Sequence, residues 1–254
     1  MNIDRIKQKT ATKKISYFYS IDSTNSYLLE HGECGEICIS DSQSAGRGRR
    51  GNTWVSPDTG NVYFSLCWCF DKIPEFWSLL GLVVGIAIAE TLEDIGLKDH
   101  GIKWPNDIFW QQRKMGGILI ETVNQTGKVV IGIGLNLKIS KADQVQIDQD
   151  VISIEKAMQG KPFLRDDLII SLIGKLYYHL DEFTKLNINS FMNSWHHWDI
   201  LYGETVSIIH QGNEFTGQVR GIDSQGRLGF VEDSREKEMF FSSADIKLKS
   251  LNKT

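Results

Sequence analysis

Residues 42–54 read SQSAGRGRRGNTW and set three glycines, Gly46, Gly48 and Gly51, among three arginines, Arg47, Arg49 and Arg50. Glycine admits backbone shapes and close approaches that other residues resist. An arginine fork matches the oxygens of carboxylates and phosphates. The combination suits an anionic small molecule. Residues 46–51 also spell G-x-G-x-x-G, the dinucleotide fingerprint, which needs a helix opening directly after it to hold a pyrophosphate. Here Asn52, Ser56, Pro57, Asp58, Gly60 and Asn61 follow, and they read as turns entering a strand. A Rossmann reading therefore fails. A solvated basic turn is the alternative that this stretch alone leaves open.

Upstream, residues 15–19 and 36–40 read as short strands, with Asp22, Ser23, Thr24 and Asn25 as caps for a helix between them. Ser23 is then either a plain N-cap or, with Thr24 and Asn25, a source of donors and acceptors for a pocket. Downstream, residues 61–70 (NVYFSLCWCF) alternate with period two. Residues 76–95 are apolar on most sides, as expected of a helix buried against a sheet. Gly81, Gly85 and Ala89 recur at a spacing of four along it, which implies close backbone packing. Residues 101–104 form a strand. Pro105, Asn106 and Asp107 make a turn. Residues 108–111 and 115–122 make a hairpin with Gln112, Arg113 and Lys114 at or near its tip, and Gly116-Gly117 marks a bulge or a close approach. A turn at 124–127 leads to a strand at 128–139. Strands joined by such short turns form an antiparallel meander.

A loop is expected over 140–149, then helices over 152–158, 165–186 and 188–198. After residue 199 the texture changes to short strands at 204–209, 213–222, 228–232 and 239–241, with a charged patch at 233–237. That pattern predicts a small β-barrel or sandwich. The expected division is therefore 1–200 and 201–254.

With 254 residues and 41% hydrophobic content, the chain can bury a sizeable core. Its net charge of −4 argues against a general polyanion binder and makes the arginine cluster a local feature. No signal peptide is apparent, and the longest apolar run is too short to cross a bilayer, so a cytoplasmic location without membrane association is the default. Cys34, Cys38, Cys67 and Cys69 lack zinc-site spacing and are expected to be reduced, partly buried thiols.

Five segments, IDSTN, QSAGRGRRGNTW, KWPND with RKMGGILIE, GIGLNL and the C-terminal run of short strands, stand in the order found in biotin-protein ligases, and together the chain resembles that family. The resemblance implies an α+β fold: a mixed, largely antiparallel sheet packed by helices, plus a C-terminal barrel of Src-homology-3 type. It implies activation of biotin by ATP to biotinyl-5'-adenylate, with transfer to a lysine of a biotin carboxyl carrier protein. Lys114, Arg49 and Asp107 are then the catalytic candidates. Ser23, Thr24, Asn25, Gln43, Arg47, Gly48, Gly116 and Gly117 would hold biotin. Arg49, Arg50, Trp54, Lys103, Asn106 and Asn136 would hold the nucleotide. Magnesium is implied by ATP chemistry, with Asp107 as the residue near it. A homodimer through the catalytic sheet is an option the family offers, without independent sign in these residues. The chain has no room for the winged helix-turn-helix of the repressor members, so no sequence-specific DNA binding is expected.

Two other readings stand beside this one. A sister family ligates lipoate or octanoate, but its glycine-rich loop differs. A non-catalytic RNA-binding loop would show steep salt dependence without need of ATP; the acidic balance and lack of other basic clusters argue against it.

Overall fold

The period-two run at 61–70 becomes a strand buried on both faces, which happens only where a sheet is covered on both sides. The computed structural model describes residues 1–10, 12, 14–123, 127–147, 149–233 and 237–248. In chain order these form α1 (Ile3–Thr10), β1 (Ile15–Ile21), α2 (Thr24–His31), β2 (Ile37–Gln43), β3 (Val62–Cys69), α3 (Leu80–Asp94), β4 (His100–Lys103), β5 (Asp107–Trp110), β6 (Arg113–Val123) and β7 (Lys128–Leu135). There follow α4 (Lys141–Gln146), α5 (Ile154–Ala157), α6 (Arg165–Phe183), α7 (Ile188–Trp198), β8 (Thr205–His210), β9 (Asn213–Ile222), β10 (Leu228–Glu232), β11 (Glu238–Phe241) and β12 (Asp245–Leu248).

The first sheet has the order β1-β2-β3-β7-β6-β5-β4. Only β1 and β2 are parallel; every other neighbour pair is antiparallel. It is thus the mixed, largely antiparallel sheet expected. Helix α3 packs on α6 and against β4, β5 and β6, while α2 covers β2, β3 and β7 from the other side. The small-residue spacing in α3 has the packing meaning: a Cβ on Gly85 would stand 3.2 Å from Ile102 Cδ1. A second, five-stranded antiparallel sheet, β11-β10-β9-β8-β12, shares the main hydrophobic core through Val206, Val219 and Phe230.

Two features of the β5–β6 hairpin place the site. Its turn residues Gln111 and Gln112 take φ of 44° and 65°, the two-residue left-handed turn that suits a tight hairpin. In the ladder Phe109 faces Lys114, but Ile108 faces Gly116, so Met115 is an extra residue. This bulge breaks the alternation: Lys114 shares a face with Gly117 instead of Gly116, and Met115 is fully buried.

Several expectations need correction. The 140–149 stretch holds α4, opened by a reciprocal Ser140–Asp143 capping box. The helix α1 and the strand β12 are additional. Cys34 and Cys69 form a disulfide with Cα atoms 5.5 Å apart, so the four cysteines are not all reduced; Cys38 and Cys67 are free and buried. Spacing along the chain does not reveal that the end of β3 meets the loop after α2. Residues 124–126 and 234–236, parts of an expected turn and of the charged patch, lie outside the described residues. Among the described residues no helix is long and apolar enough to cross a membrane.

Candidate active site

A cavity lies on the sheet face where β3, β6 and β7 meet α2 and the glycine-arginine loop. Where Gly117, Gly132 and Gly134 form it, its sheet wall is bare backbone. A Cβ on Gly132 would stand 2.2 Å from Asn25 Oδ1, and one on Gly134 2.5 Å from the Trp54 ring. Gly117, paired with Gly134 in the ladder, meets the same ring at 3.0 Å. Glycine is needed here because side chains of other elements lie flush on the strands.

The N-terminus of α2 closes one end. The Ser23 hydroxyl caps the helix by accepting from Ser26 N, and the residue also lines the cavity. Thr24 donates through N and Oγ1 to Gln43 Oε1 at 2.8 and 3.1 Å, and Gln43 Nε2 donates to Ser56 Oγ at 2.9 Å. Ser65 Oγ donates to Asn25 Oδ1 at 2.6 Å. Apart from half-buried Gln43 these residues are buried, and a satisfied network of this kind holds each in one orientation.

The glycine-arginine loop is itself ordered by backbone bonds, Trp54 N to Gly46 O and Gly48 N to Asn52 O. Its three arginines fasten to three different places. Arg47 Nη2 donates to Glu121 Oε1 on β6 at 2.7 Å. Arg49 Nη1 donates to Asn106 Oδ1 at 2.6 Å, and Asn106 is tied in turn to Ile118 through N–H···O bonds at 2.9 and 3.0 Å. Arg50, at φ 55°, reaches Asp245 Oδ1 at 2.7 Å and Ser243 Oγ beside the second sheet. Burial lowers the Arg49 pKa, helped by the like charge of Arg50.

Lys114 is held from the backbone, with N–H to Asp150 O and C=O from Ile152 N–H, both 2.9 Å. Its Nζ stands 3.0 Å from Asp107 Oδ1 and 5.3 Å from the Trp54 ring centroid. Asp107 Oδ1 and Trp54 Nε1 are buried without an aligned hydrogen-bond partner. Trp54 divides the space in two. The cavity under the loop retains about 60 Å³. A neighbouring one of about 380 Å³ is lined by Asn52, Asn136 and Val151. Lys114 and Trp54 line both.

The profile of the Biotin/lipoate A/B protein ligase family matches residues 17–137. The bifunctional ligase/repressor BirA of Salmonella typhimurium is 36% identical over 239 residues, spanning 92% of this chain and 74% of that protein. This chain belongs to the biotin protein ligase family. A biotin–[acetyl-CoA-carboxylase] ligase of Mycobacterium tuberculosis is 27% identical, over 81% of this chain and 79% of its own. The biotin protein ligase of Aquifex aeolicus, solved in complex with biotin and ATP, aligns with a TM-score of 0.79 at 25% identity, covering 93% of this chain and all of that one.

Within the ligase the structure gathers Ser23, Thr24, Asn25, Gln43, Arg47, Gly48, Arg49, Trp54, Asn106, Asp107, Lys114 and Gly117 around one cavity. Asn136 lies across Trp54 in the neighbouring one. Gly116 falls outside: the bulge turns it toward Leu135. Arg50 points to the second sheet. Lys103 packs over the Phe109 ring at 4.9 Å and lines a separate groove beside β12; burial lowers its pKa, with Asp107 opposing. Sequence reasoning missed Glu121, which is polar at the outer end of an apolar strand and lies 74 positions from Arg47.

Proposed function

We propose that the ligase joins biotin to ATP under the glycine-arginine loop and passes the activated biotin to a lysine of a biotin carboxyl carrier protein. The observation that carries this reading is that Lys114 alone among the described cations borders both cavities that Trp54 separates. The cavity at the α2 end, with the paired donors and acceptors of Ser23, Thr24 and Gln43, suits the neutral ureido ring of biotin. The cavity with Asn136 suits the adenine, and Trp54 packs against the base. Its ring must shift for biotin to enter fully, since ligand sites of this kind hold roughly 300–1,000 Å³ and the cavity under the loop about 60 Å³.

At the junction the biotin carboxylate attacks the α-phosphorus, and the bond to pyrophosphate breaks. Two anions meet in that step, and the Lys114 ammonium supplies positive charge where they do. Arg49 covers the product from the loop side and limits access of water. In the second step the neutral amine of the acceptor lysine attacks the carbonyl carbon, AMP leaves, and the amine proton is lost. Magnesium bound to the nucleotide would neutralise the leaving pyrophosphate. Among the described residues no three metal-ligating side chains cluster. Asp107, whose Oδ1 has no aligned partner, fits a single contact to an ion held mostly by phosphates. We assign residues 1–200 to catalysis and 201–254 to a small C-terminal domain that packs on the same core and whose five-stranded sheet we read as a barrel of Src-homology-3 type.

The test is incubation with biotin, ATP and magnesium, followed by mass spectrometry of the protein. Bound biotinyl-adenylate supports the reading. Pyrophosphate exchange driven by lipoate in preference to biotin would move the chain to the sister activity.

A further inference from the structure

We infer that Glu121 is a positioning residue that couples the biotin end of the cavity to the loop that covers it, an inference that rests on the ligase reading above. Its carboxylate is largely shielded, with 21% of the side chain exposed, and its two oxygens serve different bodies. Oε2 accepts from Asn25 Nδ2 at 3.0 Å, and Oε1 accepts from Arg47 Nη2 at 2.7 Å. Asn25 sits in the first turn of α2, fixed by Ser65 Oγ and pressed on Gly132. Arg47 belongs to the loop. One carboxylate on β6, a strand paired into the middle of the sheet, thus ties helix and loop to a rigid base.

A carboxylate shared between two donors orients each more strongly than separate neutral acceptors would, because both bonds are charge-assisted or polarised by the same charge. With Arg47 held, the backbone of Gly48 and the side chain of Arg49 stay over the cavity. If Glu121 were lost, Asn25 would lose a partner on the biotin side, and the loop would lose one of its two arginine ties to the first sheet, keeping that of Arg49 through Asn106. Glu121 touches no reacting atom; it acts through Asn25 and Arg47.

Two substitutions separate its halves. In Glu121→Gln the amide oxygen can still accept from Asn25, but the charge facing Arg47 is gone. Glu121→Ala removes both. With wild type first shown to form biotinyl-adenylate, dissociation of that intermediate is followed by chase with unlabelled compound, alongside biotin KM and thermal melting. The expected result is release about tenfold faster from Glu121→Gln at little change in biotin KM, on the scale of one charge-assisted hydrogen bond. Glu121→Ala is expected to release as fast and to raise biotin KM as well. The double variant Arg47→Gln/Glu121→Gln is expected to release no faster than Arg47→Gln alone. Wild-type release from Glu121→Gln, or additive effects in the double variant, overturns the inference. If Glu121→Gln does not fold, wild-type release from Arg47→Gln overturns it equally. Failure of the wild-type protein to form the adenylate would instead strike the ligase reading.

Discussion

Lys114 Nζ lies 3.0 Å from Asp107 Oδ1, yet that oxygen has no aligned hydrogen bond. The pair is an ion contact that a stronger anion can replace. On the proposed mechanism a substrate carboxylate or phosphate would take over the ammonium without breaking a well-formed bond. Lys114→Ala is therefore expected to bind biotin within a few-fold of wild type and to slow adenylation about 10²–10³-fold, the range for removing one preorganised electrostatic contact. Single-turnover formation of biotinyl-adenylate measures it; a wild-type rate would remove Lys114 from the chemistry.

Arg49 reaches Asn106, and Asn106 is fixed to Ile118 of β6 through its side-chain amide nitrogen and its backbone carbonyl. Arg49→Ala removes this tie of the loop. Release of the adenylate should rise about tenfold, and lysines of bystander proteins should be labelled when the intermediate escapes. Gel detection of biotin on a mixed-protein background reads this out, and an unlabelled background would refute the covering role.

Gly134→Ala puts a methyl where the Trp54 ring lies 2.5 Å away. The ring must move and the partition between the cavities with it. The expected effect is a rise of at least about tenfold in KM for ATP, since a rigid strand gives little ground to an overpacked atom. Melting temperature should fall only modestly, because the ring borders open space. An unchanged KM would show that Trp54 does not shape the nucleotide side.

The Cys34–Cys69 bond closes a separation of 35 residues. Chain-entropy arguments give such a closure about 3–4 kcal/mol of stability. Cys34→Ser, or wild type in reductant, should melt up to about 10 °C lower while the adenylation rate at 25 °C holds. Equal melting with and without reductant would show the thiols unpaired in solution.

His100 is half-buried, its Nε2 bonded to Ala89 O, and desolvation lowers its pKa from the usual imidazole value. The folded state therefore resists a proton that the unfolded chain accepts. This contribution is complete above the ordinary imidazole range and is lost as pH falls through that range toward the lowered folded value. Melts between pH 7.5 and 5.5 should show the decline, and His100→Gln should flatten it.

The meander from β4 to β7 was legible because strands separated by tight turns leave a plain pattern, and the KWPND, RKMGGILIE and GIGLNL segments lie on it. The bulge was legible as Gly116-Gly117, but its effect was not, since one inserted residue decides which glycine faces the cavity. Arg50 looks like Arg47 and Arg49 in the sequence; only the left-handed backbone at Arg50 turns it toward Asp245. The helices α1 and α4 were missed because they are short and mostly polar, with little periodicity to read. Glu121 and the disulfide depend on partners far along the chain, which no local pattern records.

Gly117, Gly132 and Gly134 are already the smallest residues the code offers, so at these three strand positions the enzyme has nothing left to trim. A redesign that admits a bulkier vitamin analogue must gain its room elsewhere, from Trp54 and the loop or from larger strand residues of the lining such as Leu119. From the three glycines the pocket can only be tightened, which makes them the natural place to engineer a narrower choice of substrate.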